Sequence, residues 1–323
     1  IWLGPNIDGN PSAMTVADLD GDGRQEIAMV MGTRLLVARI VDGEFSEVAE
    51  VVLPIRLQVL TMDAVDLDGN AVPELYLSAL DAYDAASLAV EWTGESYAIT
   101  LRNVRWLLRA VAFPDEETPV LLGQKKVVDE RPFQGSIYRM DRDGDRLTQG
   151  EAVPLPDKLN VFNFSPFVDD RGVINFAYIT DGDYLKVISA EGAQLWESAQ
   201  YFGGSENCYF PRPEFPDEMM MKTCMPQRMV MLPGNEILLA QNEGQRVVKN
   251  LRLFKGSRLI AMGWNGFSML ENWRTANQSG YLADFAVADA DNDGNTELVK
   301  LVRFQRKGLI DKARSSVVIY EME

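Results

Sequence analysis

A strand–loop–strand unit that recurs along the chain is the feature that most restricts its fold. Three nine-residue loops place oxygen-bearing side chains at their first, third, fifth and ninth positions. They read DLDGDGRQE from residue 18, DLDGNAVPE from residue 66 and DADNDGNTE from residue 289. Short apolar runs that favour β-structure flank each loop, which predicts a strand on either side. The chain is therefore predicted to be built from repeated β-units.

Loops of this kind wrap a hard cation, because alternate side chains point inward and a backbone carbonyl joins them. Calcium is favoured over magnesium, since the loops offer many anionic oxygens and little room for retained water. An EF-hand loop needs a glutamate at position 12 and helices on both sides, whereas position 12 here is Met29, Leu77 or Lys300. We therefore predict calcium loops between strands, with ordinary DG-rich turns as the alternative.

Each loop is predicted to bind calcium through four side chains and the carbonyl of its seventh residue. The middle loop is expected to be weaker or empty, because Asn70 removes a charge and Ala71 stands where a left-handed backbone favours glycine. The predicted ligands are Asp18, Asp20, Asp22, Glu26 and the Arg24 carbonyl; Asp66, Asp68, Asn70, Glu74 and the Val72 carbonyl; and Asp289, Asp291, Asp293, Glu297 and the Asn295 carbonyl.

The loops belong to a longer four-strand repeat, which begins roughly every 48 to 60 residues, a spacing that suits the blades of a propeller. Six units are found, and the third, fourth and fifth lack the ligand pattern. The sixth ends after its third strand, so residues 1–3 are expected to supply its outer strand. We predict an all-β, six-bladed β-propeller of four-stranded antiparallel blades. Residues 1–323 would form one domain, in which residues 1–11 complete the sixth blade and 202–227 form a long loop insertion.

Residues 12–323 carry a pattern that resembles the FG-GAP, or VCBS, repeats of the integrin α-subunit propeller and of many secreted bacterial proteins. The DLDGDGRQE and DADNDGNTE loops are its specific part, and EWTGESYAIT and GWNGFSMLENW resemble a bacterial lipoprotein-type branch. The resemblance implies a calcium-bearing propeller outside the cytoplasm, either periplasmic, attached to an outer membrane or secreted. It implies no particular activity, because such propellers host many roles.

The composition excludes several classes of function. Histidine is absent, which removes histidine triads, histidine-ligated zinc and histidine bases. The net charge of −17 argues against nucleic acid as a partner, and no apolar run is long enough to predict a membrane span. We predict no catalytic residues and do not expect an enzyme. Cys208 and Cys224 lie in one predicted loop and are expected to form a disulfide, with two buried thiols as the alternative.

Long irregular segments are expected to gather on the face opposite the calcium loops, where the integrin relatives place their ligand-binding loops. Function concentrates on such loops. Their cations predict an acidic protein or an anionic polysaccharide as the partner, with solubility as the alternative role. The candidate cations are Lys125, Lys126, Arg131, Arg246, Lys249, Arg306, Lys307 and Lys312.

A binding scaffold is therefore the function that the sequence favours. One alternative is a polysaccharide-active enzyme or its accessory domain, and another is a structural shell subunit. A substrate-sized pocket lined by paired carboxylates would favour the enzyme, whereas a flat, looped surface would favour the scaffold.

Overall fold

The computed structural model describes residues 1–126, 133, 135–211, 222–246, 251–305 and 314–322. All regular secondary structure in these ranges is β-strand. No helix that could cross a membrane is found in this part of the chain. The chain forms two compact units. The first comprises Ile1–Ala110, Met140–Glu151 and Leu282–Glu323, and the second comprises Val111–Arg139 and Ala152–Tyr281.

Two short strands, β1 (Trp2–Leu3) and β2 (Ile7–Asp8), begin the chain and are followed by two four-stranded sheets. The first sheet consists of β3 (Pro11–Ala17), β4 (Glu26–Met31), β5 (Arg34–Val41) and β6 (Glu44–Val52). The second consists of β7 (Leu57–Val65), β8 (Glu74–Asp81), β10 (Ser87–Trp92) and β11 (Tyr97–Val104), and the short β9 (Asp84–Ala85) pairs with β8.

The next two sheets have the same order of strands. The third consists of β12 (Leu107–Val111), β13 (Val120–Gln124), β14 (Ile137–Asp143) and β15 (Arg146–Val153). The fourth consists of β16 (Phe164–Val168), β17 (Ile174–Ile179), β18 (Tyr184–Ser189) and β19 (Gln194–Tyr201). A separate two-stranded ribbon follows, made of β20 (Cys208–Tyr209) and β21 (Thr223–Cys224).

The fifth sheet consists of β22 (Met229–Leu232), β23 (Glu236–Gln245), β24 (Leu253–Trp264) and β25 (Met269–Arg274), and the short β26 (Gln278–Ser279) pairs with β24. The sixth contains β27 (Tyr281–Ala288), β28 (Glu297–Phe304) and β29 (Arg314–Glu321).

The N-terminal strand β1 supplies the fourth main strand of the sixth sheet. It pairs antiparallel with β29, with Trp2 opposite Ile319 and Leu3 opposite Val318. Strand β2 pairs with the other end of β29. Six four-stranded antiparallel sheets are the blades of a six-bladed β-propeller, and the predicted fold class is confirmed.

The position of a strand in its sheet explains its sequence. The second strands β4 and β8 are buried along almost their whole length, and both read as near-continuous apolar runs that begin with a glutamate. The outer strand β6 alternates between half-buried and exposed positions, as expected for a strand with one face in water. Each of these acidic loops therefore ends where a buried strand begins.

Each unit has its own apolar core. In the first unit, residues of the first and second sheets, such as Val30, Val37 and Leu77, pack in one cluster. In the second unit, residues of the fourth and fifth sheets, such as Phe167 and Leu239, pack in another. These cores hold the strands from which the polar loops project.

The segment 202–227 was predicted to be a loop insertion, and its described part contains the ribbon of β20 and β21. Cys208 lies opposite Cys224 in this ribbon, and the two are joined by a disulfide. Residues 242–245 belong to a strand, because β23 continues to Gln245 through pairing with β24. Strands β23 and β24 thus form one long hairpin, in which pairing continues as far as Gln245 and Leu253.

Candidate metal centre

All three acidic loops are held by the same internal hydrogen bonds. The amide of the sixth residue donates to the first aspartate of each loop, at 2.9 Å to Asp18, 2.9 Å to Asp66 and 3.0 Å to Asp289. The amide of the seventh residue donates to the side chain of the fifth, as in Arg24 to Asp22, Val72 to Asn70 and Asn295 to Asp293. These Asx-type turns fix the acidic side chains at the mouth of the loop.

The glutamate at the ninth position is anchored in the same way in each loop. Its Oε2 accepts the amide of the second residue, at 2.8 Å for Glu26, 2.9 Å for Glu74 and 2.7 Å for Glu297. All three glutamates begin a buried strand and are at most 1% exposed. Each loop therefore leaves a single glutamate oxygen, Oε1, to be satisfied by something else.

Carboxylate oxygens converge in each loop, but not to the same extent. In the third loop, one oxygen from each of Asp289, Asp291, Asp293 and Glu297 lies within 4.8 Å of the others. The first loop brings Asp18, Asp20 and Asp22 together in this way without Glu26. In the middle loop the group is Asp66, Asp68 and Glu74. Such clusters of hard oxygens match the donor set of calcium.

Arg39 of β5 contacts the carboxylates of the first loop. Its Nε donates to Glu26 Oε1 at 2.6 Å, and its terminal nitrogens lie 2.9 Å from Asp22 Oδ2 and 3.0 Å from Asp20 Oδ2. The Arg39 side chain is 14% exposed. Three predicted calcium ligands are thus already paired with a largely buried guanidinium, which offsets their charge.

Arg142 of β14 has the corresponding role at the middle loop. Its Nη1 donates to Glu74 Oε1 at 2.9 Å and also pairs with Glu91 of β10. The Arg142 side chain is 7% exposed. The buried carboxylate of Glu74 is therefore balanced by an arginine from the next sheet along the chain.

The third loop has no such counterion within the described ranges of the chain. Glu297 Oε1 is buried and accepts no hydrogen bond from any residue in those ranges. Burial raises the pKa of Glu297 to about 7, with further contributions from the charges of Asp291, Asp289 and Glu321. A buried, unpaired carboxylate oxygen is costly, and a bound cation would satisfy it. The residues of this loop fit calcium best of the three.

Arg39, Glu91 and Arg142 were not found from the sequence. The register of the hairpin could have indicated Arg39. Met31 pairs with Arg34 and Ile27 with Ala38, so the next pair along the two strands places Arg39 opposite Glu26. The short hairpin between β4 and β5 sets this register. No comparable signal pointed to Arg142, because its contact with Glu74 joins two different sheets.

The structure reduces the proposed set of partner-binding cations. Arg246 is wrong as a surface cation: its side chain is 13% exposed, its Nε lies 3.1 Å from Asp183 Oδ2, and its guanidinium stacks on Tyr201 and Phe254. Lys125 and Lys126 lie directly after β13. The other candidates fall outside the described residues, namely Arg131, Lys249, Arg306, Lys307 and Lys312.

The six four-stranded sheets define a β-propeller, and three of its blades carry an acidic loop between their first two strands. The model of the FG-GAP-like repeat family matches residues 18–77, which contain the first two loops. Together with the arrangement of the sheets, this match supports an FG-GAP β-propeller and confirms the resemblance seen in the sequence.

A relative of unassigned role also matches. An uncharacterized protein from Aquifex aeolicus (strain VF5) is 22% identical over 223 residues, which cover 65% of this chain and 42% of the relative. The match thus spans less than half the length of that relative.

Two solved structures are similar across nearly the whole chain. The PQQ-bound aldose sugar dehydrogenase from Streptomyces coelicolor is 14% identical, with a TM-score of 0.47 over 99% of this chain and 97% of the other. BBS1N in complex with ARL6DN is 9% identical, with a TM-score of 0.47 over 98% of this chain and 97% of the other. At TM-scores below 0.5, neither likeness bears on the function of this chain.

Proposed function

We propose that this chain is a calcium-stabilised β-propeller that works outside the cytoplasm as a scaffold for binding a protein or a glycan. The observation that carries the calcium part is the buried Glu297 Oε1, which lies near three converging aspartates and has no hydrogen-bond partner in the described part of the chain. Asp289, Asp291 and Asp293 would hold the ion together with Glu297. When bound, the ion would supply positive charge that offsets their repulsion.

Two observations support a location outside the cytoplasm. The disulfide between Cys208 and Cys224 suits an oxidising compartment. Calcium sites of extracellular modules typically have a Kd of about 10⁻⁴–10⁻³ M, so they fill only where calcium is abundant. A structural calcium site therefore fits the same location as the disulfide.

Cations beside aromatic rings support a binding surface in the second unit. Lys126 Nζ lies 5.9 Å from the centre of the Tyr209 ring, and Lys222 Nζ lies 5.3 Å from that of Phe210. Phe210 is 46% exposed. An exposed ring next to ammonium groups offers both apolar contact and positive charge. This combination suits an anionic polysaccharide or an acidic protein segment.

The enzyme alternative receives less support from the pockets of the second unit. A cavity of about 450 Å³ is lined by Asp157, Lys158 and Glu191, among others. Glycoside hydrolysis needs one carboxylic acid that keeps its proton near neutral pH. A hydrogen bond from Ser189 instead lowers the pKa of Glu191, so this carboxyl is not suited to be the acid. Glu191 therefore gives no support to hydrolysis at this pocket, and we propose binding as the function.

The binding proposal is tested with two defined anionic probes, dextran sulfate and polyglutamate, each coupled to a matrix. The wild type is expected to be retained on at least one of the two matrices. The double variant Lys125→Glu/Lys126→Glu is expected to elute from that matrix at lower salt, because reversing charge removes attraction. Retention on dextran sulfate alone would indicate a polysaccharide, and retention on polyglutamate alone an acidic protein.

A matched control changes the same amount of charge in the first unit. Arg56 and Arg146 have side chains that are 73% and 82% exposed, and Arg56→Glu/Arg146→Glu is expected to elute like the wild type. Equal losses in both double variants would show that net charge, and not this surface, governs retention. No retention of the wild type on either probe would contradict an anionic partner.

A further inference from the structure

We propose that Arg39 and Arg142 are built-in counterions of the first two loops, and that the Asp289–Glu297 loop is consequently the metal site on which calcium acts. The inference rests on the proposed calcium-stabilised function and deepens it by ranking the loops. It differs from the ranking by sequence, in which the first and last loops are equal and the middle one is weaker.

The comparison of one atom across the three loops carries the inference. In each loop the ninth-position glutamate uses Oε2 for the same backbone amide. Its other oxygen, Oε1, accepts a hydrogen bond from Arg39 in the first loop and from Arg142 in the second. In the third loop the same atom of Glu297 has no hydrogen-bond partner among the residues that the structure describes. The loops are alike in backbone and differ in their supply of positive charge.

The register of the third strand in each sheet explains this difference. Arg39 follows Ala38, which pairs with Ile27, and Glu91 follows Val90, which pairs with Leu75. These steps place Arg39 opposite Glu26 and Glu91 opposite Glu74. In the sixth sheet, Glu321 pairs directly with Glu297.

The first loop therefore has a basic residue at this register position, and the other two have acidic ones. At the middle loop, Arg142 arrives from another sheet and contacts both Glu74 and Glu91. At the third loop, no lysine or arginine of the described ranges pairs with the four carboxylates or with Glu321. The negative charge there is thus the least compensated of the three loops.

Calcium at the first loop would have to displace a guanidinium. Arg39 lies among three carboxylates with a side chain that is 14% exposed, and Arg142 is 7% exposed. Removing the partners of a largely buried cation leaves its charge uncompensated, which opposes metal entry. At the third loop the ion would meet carboxylate oxygens that are paired with no cation of the described residues.

Calorimetric titration with calcium, after exhaustive chelation, tests the ranking. The wild type is expected to bind one ion at sub-millimolar concentration, and Arg39→Met is expected to bind a second at the vacated first loop. Arg34→Met is the matched control, since Arg34 lies on the same strand and pairs with Glu50, away from the loop. It is expected to bind one ion like the wild type.

A converse variant keeps the test informative if Arg39→Met does not fold. Glu321 is exposed and lies opposite Glu297, so Glu321→Arg would place a guanidinium where Arg39 stands in the first sheet. This substitution is expected to weaken calcium binding by at least about ten-fold, since a nearby like charge repels the ion. Glu321→Gln, which removes charge without adding a guanidinium, is expected to weaken it much less.

The outcomes separate this inference from the proposed function. Two or three ions bound by the wild type, with no change in Arg39→Met, would overturn the arginine ranking and leave calcium stabilisation standing. Equal affinities in Glu321→Arg and Glu321→Gln would overturn it as well. No calcium bound by the wild type or by any variant would overturn both.

Discussion

Ala71 has a backbone conformation that glycine adopts at the same position of the other two loops. Its φ is 69°, compared with 88° for Gly23 and 93° for Gly294. A left-handed conformation costs a residue with a Cβ about 1–2 kcal/mol. Ala71 nevertheless adopts this conformation, in which its amide donates a hydrogen bond to Asp66.

Ala71→Gly is therefore expected to raise the free energy of unfolding by up to about 1 kcal/mol, since glycine's greater freedom in the unfolded chain offsets part of the relief. The reciprocal Gly23→Ala is expected to lower it by about 1–2 kcal/mol. Urea unfolding measures both. An unchanged free energy of unfolding in both single variants would contradict backbone strain at this loop position.

Lys300 is a buried cation whose titration should be visible in stability. It is fully buried, with Nζ 4.3 Å from the ring centre of Tyr320. Burial lowers its pKa to about 8, from a usual value of 10.5. Between these values the folded chain holds fewer protons than the unfolded chain, so the free energy of unfolding rises as the pH rises.

Lys300→Met is expected to remove up to about 3 kcal/mol of this rise between about pH 8 and pH 10.5 and to be the more stable protein at pH 7. Unfolding curves at several pH values, compared with the wild type, give the slope. Lys255→Met, at an exposed strand position, should have the wild-type slope. A wild-type slope in Lys300→Met would show that Lys300 stays charged throughout.

At the scale of elements, Asn292 connects the third loop to the first. Its Oδ1 accepts the Gln25 amide at 2.6 Å, and its Nδ2 donates to the carbonyls of Gln25 and Ile40. The φ of Asn292 is 63°, a conformation that asparagine tolerates. One side chain thus joins the loops of the sixth and first sheets.

Asn292→Gly keeps the backbone conformation and removes these hydrogen bonds, so it is expected to lower the free energy of unfolding by about 1–3 kcal/mol. Asp42→Gly is the control, because Asp42 is exposed and has a φ of 52° at a hairpin tip. Both variants introduce a glycine, so the effect of glycine on the unfolded chain is the same in each and does not affect the comparison. Equal losses in both would contradict a link between the loops.

Much of the element scale could be predicted from the sequence, because it depends on local patterns. Loop spacing and apolar runs predicted the strands around residues 18–26 and 289–297, and the missing fourth strand of the last unit predicted the pairing of β1 with β29. The roles of Arg142 and Arg246 depend on contacts with residues that are distant along the chain. Periodicity contains no information on such contacts, so these two cations could not be placed.

At the scale of the molecule, buried carboxylates join successive inner strands within the first unit. Asp284 of β27 accepts the Met14 amide at 2.9 Å, and Asp63 of β7 accepts the Ala110 amide at 3.0 Å. Both aspartates are nearly fully buried. Charge-assisted bonds to backbone amides of this kind are stronger than neutral ones. Order in one blade is thereby coupled to order in the next.

A calcium ion at the third loop would strengthen the same unit, because that loop joins β27 to β28 and contacts the first sheet through Asn292. Binding to the folded chain alone raises the free energy of unfolding by an amount set by calcium concentration and Kd. Removal of an ion bound there is therefore expected to loosen the first unit before the second.

The most direct measurement is urea unfolding of the wild type and of Glu297→Gln, each in calcium and in chelator. With calcium at about ten times Kd, the wild type is expected to gain about 1.4 kcal/mol of unfolding free energy. Glu297→Gln is expected to gain almost nothing, because it lacks the buried carboxylate that the ion would satisfy. No gain in the wild type, or an equal gain in the two proteins, would contradict calcium binding at this loop.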